Sequence, residues 1–188
     1  LFPDDGRDSA SLLRNADTAM YHAKSLGRGQ FQYFREEMNL RVQQRLAVES
    51  GLRLALERGE FLLHFQPLVD MRTGRIIGAE ALVRWQHPER GLVPPGEFIA
   101  IAEETGQIVP LGDWVLGKAC EVARGWDAAG FPGLRIAVNL SVRQFREPGI
   151  ASRVRQIIEG SGLEPQRVEL EITEGLLLKH DDETLTIL

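Results

Sequence analysis

Apolar residues recur along this chain with two periods, three to four residues in some stretches and two in others. Leu12, Leu13, Ala16, Ala19, Met20 and Ala23 repeat at spacings of one, three and four, which predicts a helix. Ser9 or Ser11 is its expected cap, and Gly27 with Gly29 its expected stop. Phe31–Phe34 then reads as a short strand. One helix and one strand cannot enclose a core, so Leu1–Phe34 reads as the tail of a domain whose body lies elsewhere. Residues 36–58 are rich in Glu, Arg, Gln and Leu, with Gly51 as the one internal breaker and Gly59 at the end. They predict a connecting helix with Met38, Val42, Leu46, Leu52 and Leu56 on one stripe.

From Phe61 the period shortens to two. Phe61–Leu68 and Arg75–Trp85 predict strands joined by residues 69–74. That link is too short for a parallel crossover, so the two strands should pair antiparallel. Helices are expected near 97–104, near Leu111–Ala129 after Pro110, and over Gly149–Ser161. Further strands are expected over Arg135–Leu140 and Arg167–Thr173. Strand–helix–strand alternation with such long connections predicts an α/β fold with a parallel sheet and helices packed outside it.

Composition narrows the partners. The 188 residues carry a net charge of −5, with 43% hydrophobic content, as in a globular domain. The acidic balance argues against a nucleic-acid polymer as partner, yet leaves room for a small phosphate held by one or two arginines. A single cysteine, Cys120, forms no internal disulfide, and no Cys/His cluster has zinc spacing. No run is long and apolar enough to span a membrane, which makes a reducing, cytoplasmic setting the expectation. A membrane-bound sensor elsewhere in a parent protein is compatible with it. The chain opens on Leu1 and stops within a helical pattern, so both ends read as cut from a longer protein.

Splitting each strand into its two faces exposes the chemistry. Ile77, Ala79, Ala81, Val83 and Trp85 share one face, whereas Glu80, Leu82 and Arg84 share the other. Ile136, Val138 and Leu140 oppose Arg135, Ala137, Asn139 and Ser141. Val168, Leu170 and Ile172 oppose Glu169, Glu171 and Thr173, and Phe61, Leu63 and Phe65 oppose Leu62, His64, Gln66 and Leu68. If helices cover the apolar face, the polar face points to water or into a closed barrel. Unpaired carboxylates inside a barrel cost several kcal/mol each, so a cation is expected among them. Two carboxylates and an amide oxygen suit Mg²⁺ or Mn²⁺, and an arginine beside them suits a phosphate. Plain buried salt bridges are the competing reading. His64 and His87 lack ligand spacing and read as core or loop residues.

These residues also carry a family resemblance. Glu80-Ala81-Leu82-Val83-Arg84-Trp85, Phe65-Gln66-Pro67, Pro94–Ile99, Val138–Ser141 and Glu169–Glu174 stand in the order of an EAL-type phosphodiesterase domain, which residues from about 40 onward resemble. The resemblance implies a modified (β/α)₈ TIM-like barrel with an antiparallel first strand, here incomplete, that hydrolyses cyclic di-GMP to linear pGpG with Mg²⁺ or Mn²⁺. It implies Glu80, Asn139 and Glu171 as metal ligands, and Arg84 and Gln66 as substrate contacts. Glu80 and Glu174 are the implied catalytic residues, Glu174 by bracing an active-site loop rather than as a direct ligand. An EAL–EAL homodimer of the parent is admitted by the same resemblance.

Leu1–Phe34 resembles the C-terminal end of a GGDEF-type diguanylate cyclase domain, through Phe2–Gly6, Leu12–Tyr21, Ala23-Lys24 and Gly27-Arg28. Lys24 and Arg28 match that family's phosphate-contacting pair, although a solvated helix end explains them here. The expected organisation is therefore a GGDEF remnant over 1–35, a connecting helix over 36–58 and the first part of an EAL domain over 59–188. A full barrel needs about 250 residues, more than this chain supplies, so the chain alone is expected to be inactive. Asp181-Asp182 reads as a helix cap, not as the family's paired aspartates. The alternative function is a degenerate EAL module that binds cyclic di-GMP as a non-catalytic receptor or scaffold.

Overall fold

The computed structural model describes residues 1–25 and 29–172. The chain forms two compact units, Leu1–Gly51 and Leu52–Leu188.

In the first unit, α1 (Ser9–Ser25) packs through Ala19 and Ala23, which are buried. Its cap is Asp8 rather than either serine: the Asp8 carboxylate accepts from the Ser11 N–H at 2.8 Å, while the Ser11 hydroxyl donates to the Asp8 carbonyl at 3.0 Å. A carboxylate at the N-cap also faces the positive end of the helix dipole, an advantage the serines lack. Phe31–Phe34 is not a strand, because no neighbouring strand among the described residues pairs with it. Phe31 and Tyr33 instead meet edge to face, 5.4 Å between ring centres. The connecting segment is helical as α2 (Glu36–Glu57). Met38 and Leu52 are buried, but Val42 and Leu46 are exposed, and Val48 and Ala55 take the remaining buried positions. A single stripe presumes one packing surface throughout, whereas α2 belongs to the first unit through Gly51 and to the second from Leu52.

The second unit is built on a mixed sheet. Its strands are β1 (Phe61–Val69), β2 (Ile76–His87), β3 (Gly91–Val93), β4 (Arg135–Leu140) and β5 (Val168–Ile172). They run in the order β1-β2-β4-β5, with β3 paired to β2. As the short link predicts, β1 and β2 are antiparallel, while β2–β4 and β4–β5 are parallel. Between the parallel strands lie α3 (Ile99–Thr105), α4 (Ile108–Ala128), α5 (Val142–Phe145) and α6 (Ile150–Ser161). The sequence pattern misses β3 and α5, each too short to show a period. It also starts α4 too late. Pro110 sits within the first turn, where its absent N–H has no intrahelical partner to lose, so the helix runs through it.

Helix α4 packs on β1, β2 and β4. The apolar faces of the strands supply Phe61, Ala81, Trp85, Ile136 and Val138 to the core, and α4 supplies Leu111, Val115 and Ala119, all buried. Phe61 is the centre of an aromatic cluster, with Trp85, Phe98 and Trp114 rings at 5.8, 5.8 and 6.0 Å. The Trp85 indole N–H, otherwise stranded in that core, donates to the Glu60 carboxylate at 2.9 Å. Burying one face in this way turns the other face of every strand away from α4.

Two contacts fix strand spacing and helix placement. A Cβ at Gly78 would lie 2.4 Å from the Arg135 carbonyl oxygen, so β2 and β4 approach as they do only because residue 78 has no side chain. Gly78→Ala should therefore destabilise the unit by about 2 kcal/mol, read as a fall in the urea midpoint at unchanged slope. At the same end of the parallel strands the buried Arg167 donates to the Leu134 carbonyl at 3.0 Å, the Ala123 carbonyl at 3.3 Å and the Asp127 carboxylate at 2.7 Å. The Arg167 guanidinium holds the Asp127 carboxyl below its ordinary value of 3.8. A lowered folded value stabilises the ionised form, so this contribution is present above about pH 4 and is lost as the pH falls further. Arg167→Ala should flatten that acid-side dependence and, through the orphaned carbonyls, cost about 2 kcal/mol at neutral pH in the same urea assay.

Candidate functional site

The residues singled out by their chemistry lie on the sheet face turned away from α4. Directly paired residues in a sheet point to the same side, so the register settles which of them meet. Gln66 on β1 pairs with Glu80 on β2, and Leu62 pairs with Arg84. Glu80 pairs with Ala137 on β4, and Asn139, two positions on, pairs with Glu171 on β5. Gln66, Glu80, Arg84, Asn139 and Glu171 therefore share one face across four strands. The face is polar at its centre, with Gln66, Asn139 and Glu171 exposed and Glu80 and Arg84 half-buried.

Glu80 and Asn139 touch. The Asn139 side-chain amide donates to the Glu80 carboxylate at 2.6 Å, a contact between residues 59 apart in sequence. Such a short bond to a charged acceptor fixes the carboxylate relative to β4. Glu171 completes the acidic group. Although it is open to solvent, partial desolvation first, and then the negative charges of Glu80 and Glu169, push its carboxyl above the ordinary glutamate value. Glu169 is itself engaged by the Arg135 guanidinium in a close ion pair. Arg84 donates through Nη1 to the Val83 carbonyl at 2.8 Å, which leaves its other N–H groups without a partner among the described residues.

The end of β4 that carries Asn139 is anchored just beyond it. Ser141 caps α5: its hydroxyl accepts from the Gln144 N–H at 3.2 Å, while the Gln144 side-chain oxygen accepts from the Ser141 N–H at 3.1 Å. Gln144 is buried against Gly112 of α4, where a Cβ would come within 1.7 Å of its side-chain nitrogen. Arg143 reaches the carbonyls of Glu103 and Glu104 at the end of α3. Asn139 thus sits on a strand end tied to α3 and α4 through α5.

The donor set fits a hard divalent cation. Glu80, Glu171 and Asn139 can each supply an oxygen ligand, and a cation would offset the desolvation and the repulsion that raise Glu171. Ligation by Asn139 through its oxygen requires its amide to turn over, because its nitrogen now faces Glu80. Among the described residues, no three His, Cys, Asp or Glu side chains form a metal-binding group, so the set rests on two carboxylates and one amide. Glu174, Arg28, Asp181 and Asp182 lie outside the described residues. Lys24 is exposed near the end of α1, in the first unit.

His64 and His87 part company. His87 has the expected loop duty, its Nδ1 accepting from the N–H groups of Glu89 and Arg90 at 3.1 and 3.3 Å. His64 does not belong to the core. It is exposed on the polar face, paired with Leu82 between the Gln66–Glu80 and Leu62–Arg84 pairs. Spacing rules for metal ligands overlook it, while the period-two face assignment marks it.

Comparison with known proteins bears on the whole arrangement. The family model described as the EAL domain matches residues 49–188. The bifunctional diguanylate cyclase/cyclic di-GMP phosphodiesterase MucR of Pseudomonas aeruginosa is 45% identical over 188 residues, covering 100% of this chain and 27% of MucR. The cyclic di-GMP phosphodiesterase PdeR of Escherichia coli is 44% identical over 188 residues, covering 100% of this chain and 28% of PdeR. A solved structure of PaMucR phosphodiesterase in complex with c-di-GMP superposes with a TM-score of 0.72 at 44% identity, covering 76% of this chain and 57% of that one. The chain thus spans about a quarter of the length of these two curated relatives. With its mixed α/β sheet and a family match over most of its length, the chain belongs to the EAL domain family.

Proposed function

We propose that this chain is part of a cyclic di-GMP phosphodiesterase that hydrolyses its substrate to linear pGpG. The observation that carries the reading is the Asn139–Glu80 contact, which joins β2 and β4 on the same face as Glu171. Glu80, Asn139 and Glu171 would hold Mg²⁺ or Mn²⁺. When bound, such an ion supplies positive charge against the phosphodiester and makes water a better nucleophile. The chain's own groups do the rest. Arg84 offers unengaged N–H donors to a phosphate oxygen, and Gln66, paired with Glu80, offers an amide to the same ligand. Arg135 neutralises Glu169, which leaves the acidic charge concentrated at Glu80 and Glu171.

In the same reading, the sheet is the first part of a TIM-like barrel, and Glu174 braces a loop of the site. Leu1–Phe34 is the C-terminal remnant of a GGDEF domain, and α2 is the connector. The bifunctional name of MucR, which aligns with the full length of this chain, supports that order. A cytoplasmic setting is kept as part of this proposal; among the described residues no helix is long and apolar enough to cross a membrane.

The test is hydrolysis of cyclic di-GMP by the full-length protein with Mg²⁺ or Mn²⁺, followed by product chromatography. Glu80→Gln should lower kcat/KM at least about a hundredfold, the scale of losing one electrostatic partner of the transition state. Undiminished turnover in that variant contradicts the assignment of Glu80. Tight binding of cyclic di-GMP by the parent protein with no turnover contradicts the enzyme and establishes the receptor instead.

A further inference from the structure

We infer that His64 is a substrate contact, donating a hydrogen bond to a phosphodiester oxygen of the cyclic dinucleotide. The inference rests on the reading of the site just given and adds a residue to it. On β1, His64 stands two positions from Gln66, about 7 Å along the strand and on the same face. Its partner across the ladder is Leu82, which lies midway between Glu80 and Arg84 on β2. A phosphodiester lying between a cation on the residue 80 carboxylate and the guanidinium at residue 84 spans this level. Leu82 offers it no hydrogen bond. The nearest donor at that level on the β1 side is the imidazole, one strand away, about 5 Å.

The imidazole is placed for such a contact. It is exposed on the polar face, and among the described residues its ring makes no hydrogen bond, ion pair or ring contact. Imidazole keeps at least one N–H donor in either protonation state. Its neighbours along that face of β1, Leu62 and Gln66, leave it the one aromatic ring the strand presents there. A packing role would place the ring among core residues, and the β1 core positions are occupied by Phe61 and the rings around it.

The experiment compares His64→Ala, His64→Gln and His64→Phe in the full-length protein, with steady-state hydrolysis of cyclic di-GMP and Mn²⁺ titration of each. Loss of one hydrogen bond to a charged acceptor should raise KM about tenfold in His64→Ala, with kcat within about threefold and Mn²⁺ affinity unchanged. Gln keeps an N–H donor and should recover most of the loss, whereas Phe keeps the ring and should recover none. An unchanged KM in His64→Ala, or recovery by Phe and not by Gln, overturns the contact while the parent enzyme still turns over. Absence of turnover in the unsubstituted protein overturns the functional reading itself, and this contact with it.

Discussion

The site depends on how closely β2 can approach β4. Parallel pairing aligns Glu80 with Ala137, and Asn139, next on that face, then reaches back to the carboxylate. The approach requires the missing side chain at residue 78, because a single methyl group would collide with the Arg135 carbonyl. Arg135 in turn pairs with Glu169 on β5, so the same short stretch sets the spacing on both sides of β4. Backbone register, not side-chain flexibility, therefore decides that two carboxylates and an amide from three strands share one face.

That placement is energetically uneven. The apolar face is satisfied by α4 and a ring cluster, whereas the opposite face gathers like charge. Desolvation first, and then the charges at Glu80 and Glu169, raise the Glu171 carboxyl. Active sites concentrate such perturbations, since a group held at a cost in the resting protein is one that gains when its ligand arrives. Arg84 is the complementary case, a half-buried guanidinium with donors to spare. An acidic group and an under-used arginine, with Glu80 and Arg84 four residues apart on one strand face, are what a metal-assisted phosphodiester site requires.

Much of this was legible in the chain, for physical reasons that can be named. Period-two alternation is insensitive to the exact strand ends, so Glu80, Arg84, Asn139 and Glu171 fall on one face although several boundaries shift by one or two residues. The short link after Val69 likewise forces the antiparallel start. Features that depend on partners were not legible. Phe31–Phe34 has strand composition but no strand to pair with, and Val42 and Leu46 continue a helical stripe that has no continuous surface to cover. Asp8 outcompetes the two serines as a cap because of charge, which a propensity ranking weighs lightly. His64 shows no ligand spacing along the chain, because its neighbours on that face lie across the ladder.

The most direct measurement is crystallographic: the full-length protein with Mn²⁺, with anomalous scattering used to locate the ion. The convergence of Glu80, Asn139 and Glu171 predicts a peak within about 2.3 Å of an oxygen from each, with the Asn139 amide turned over relative to its present hydrogen bond. Manganese bound elsewhere, or the three side chains left pointing past an ion that only one of them touches, would contradict it.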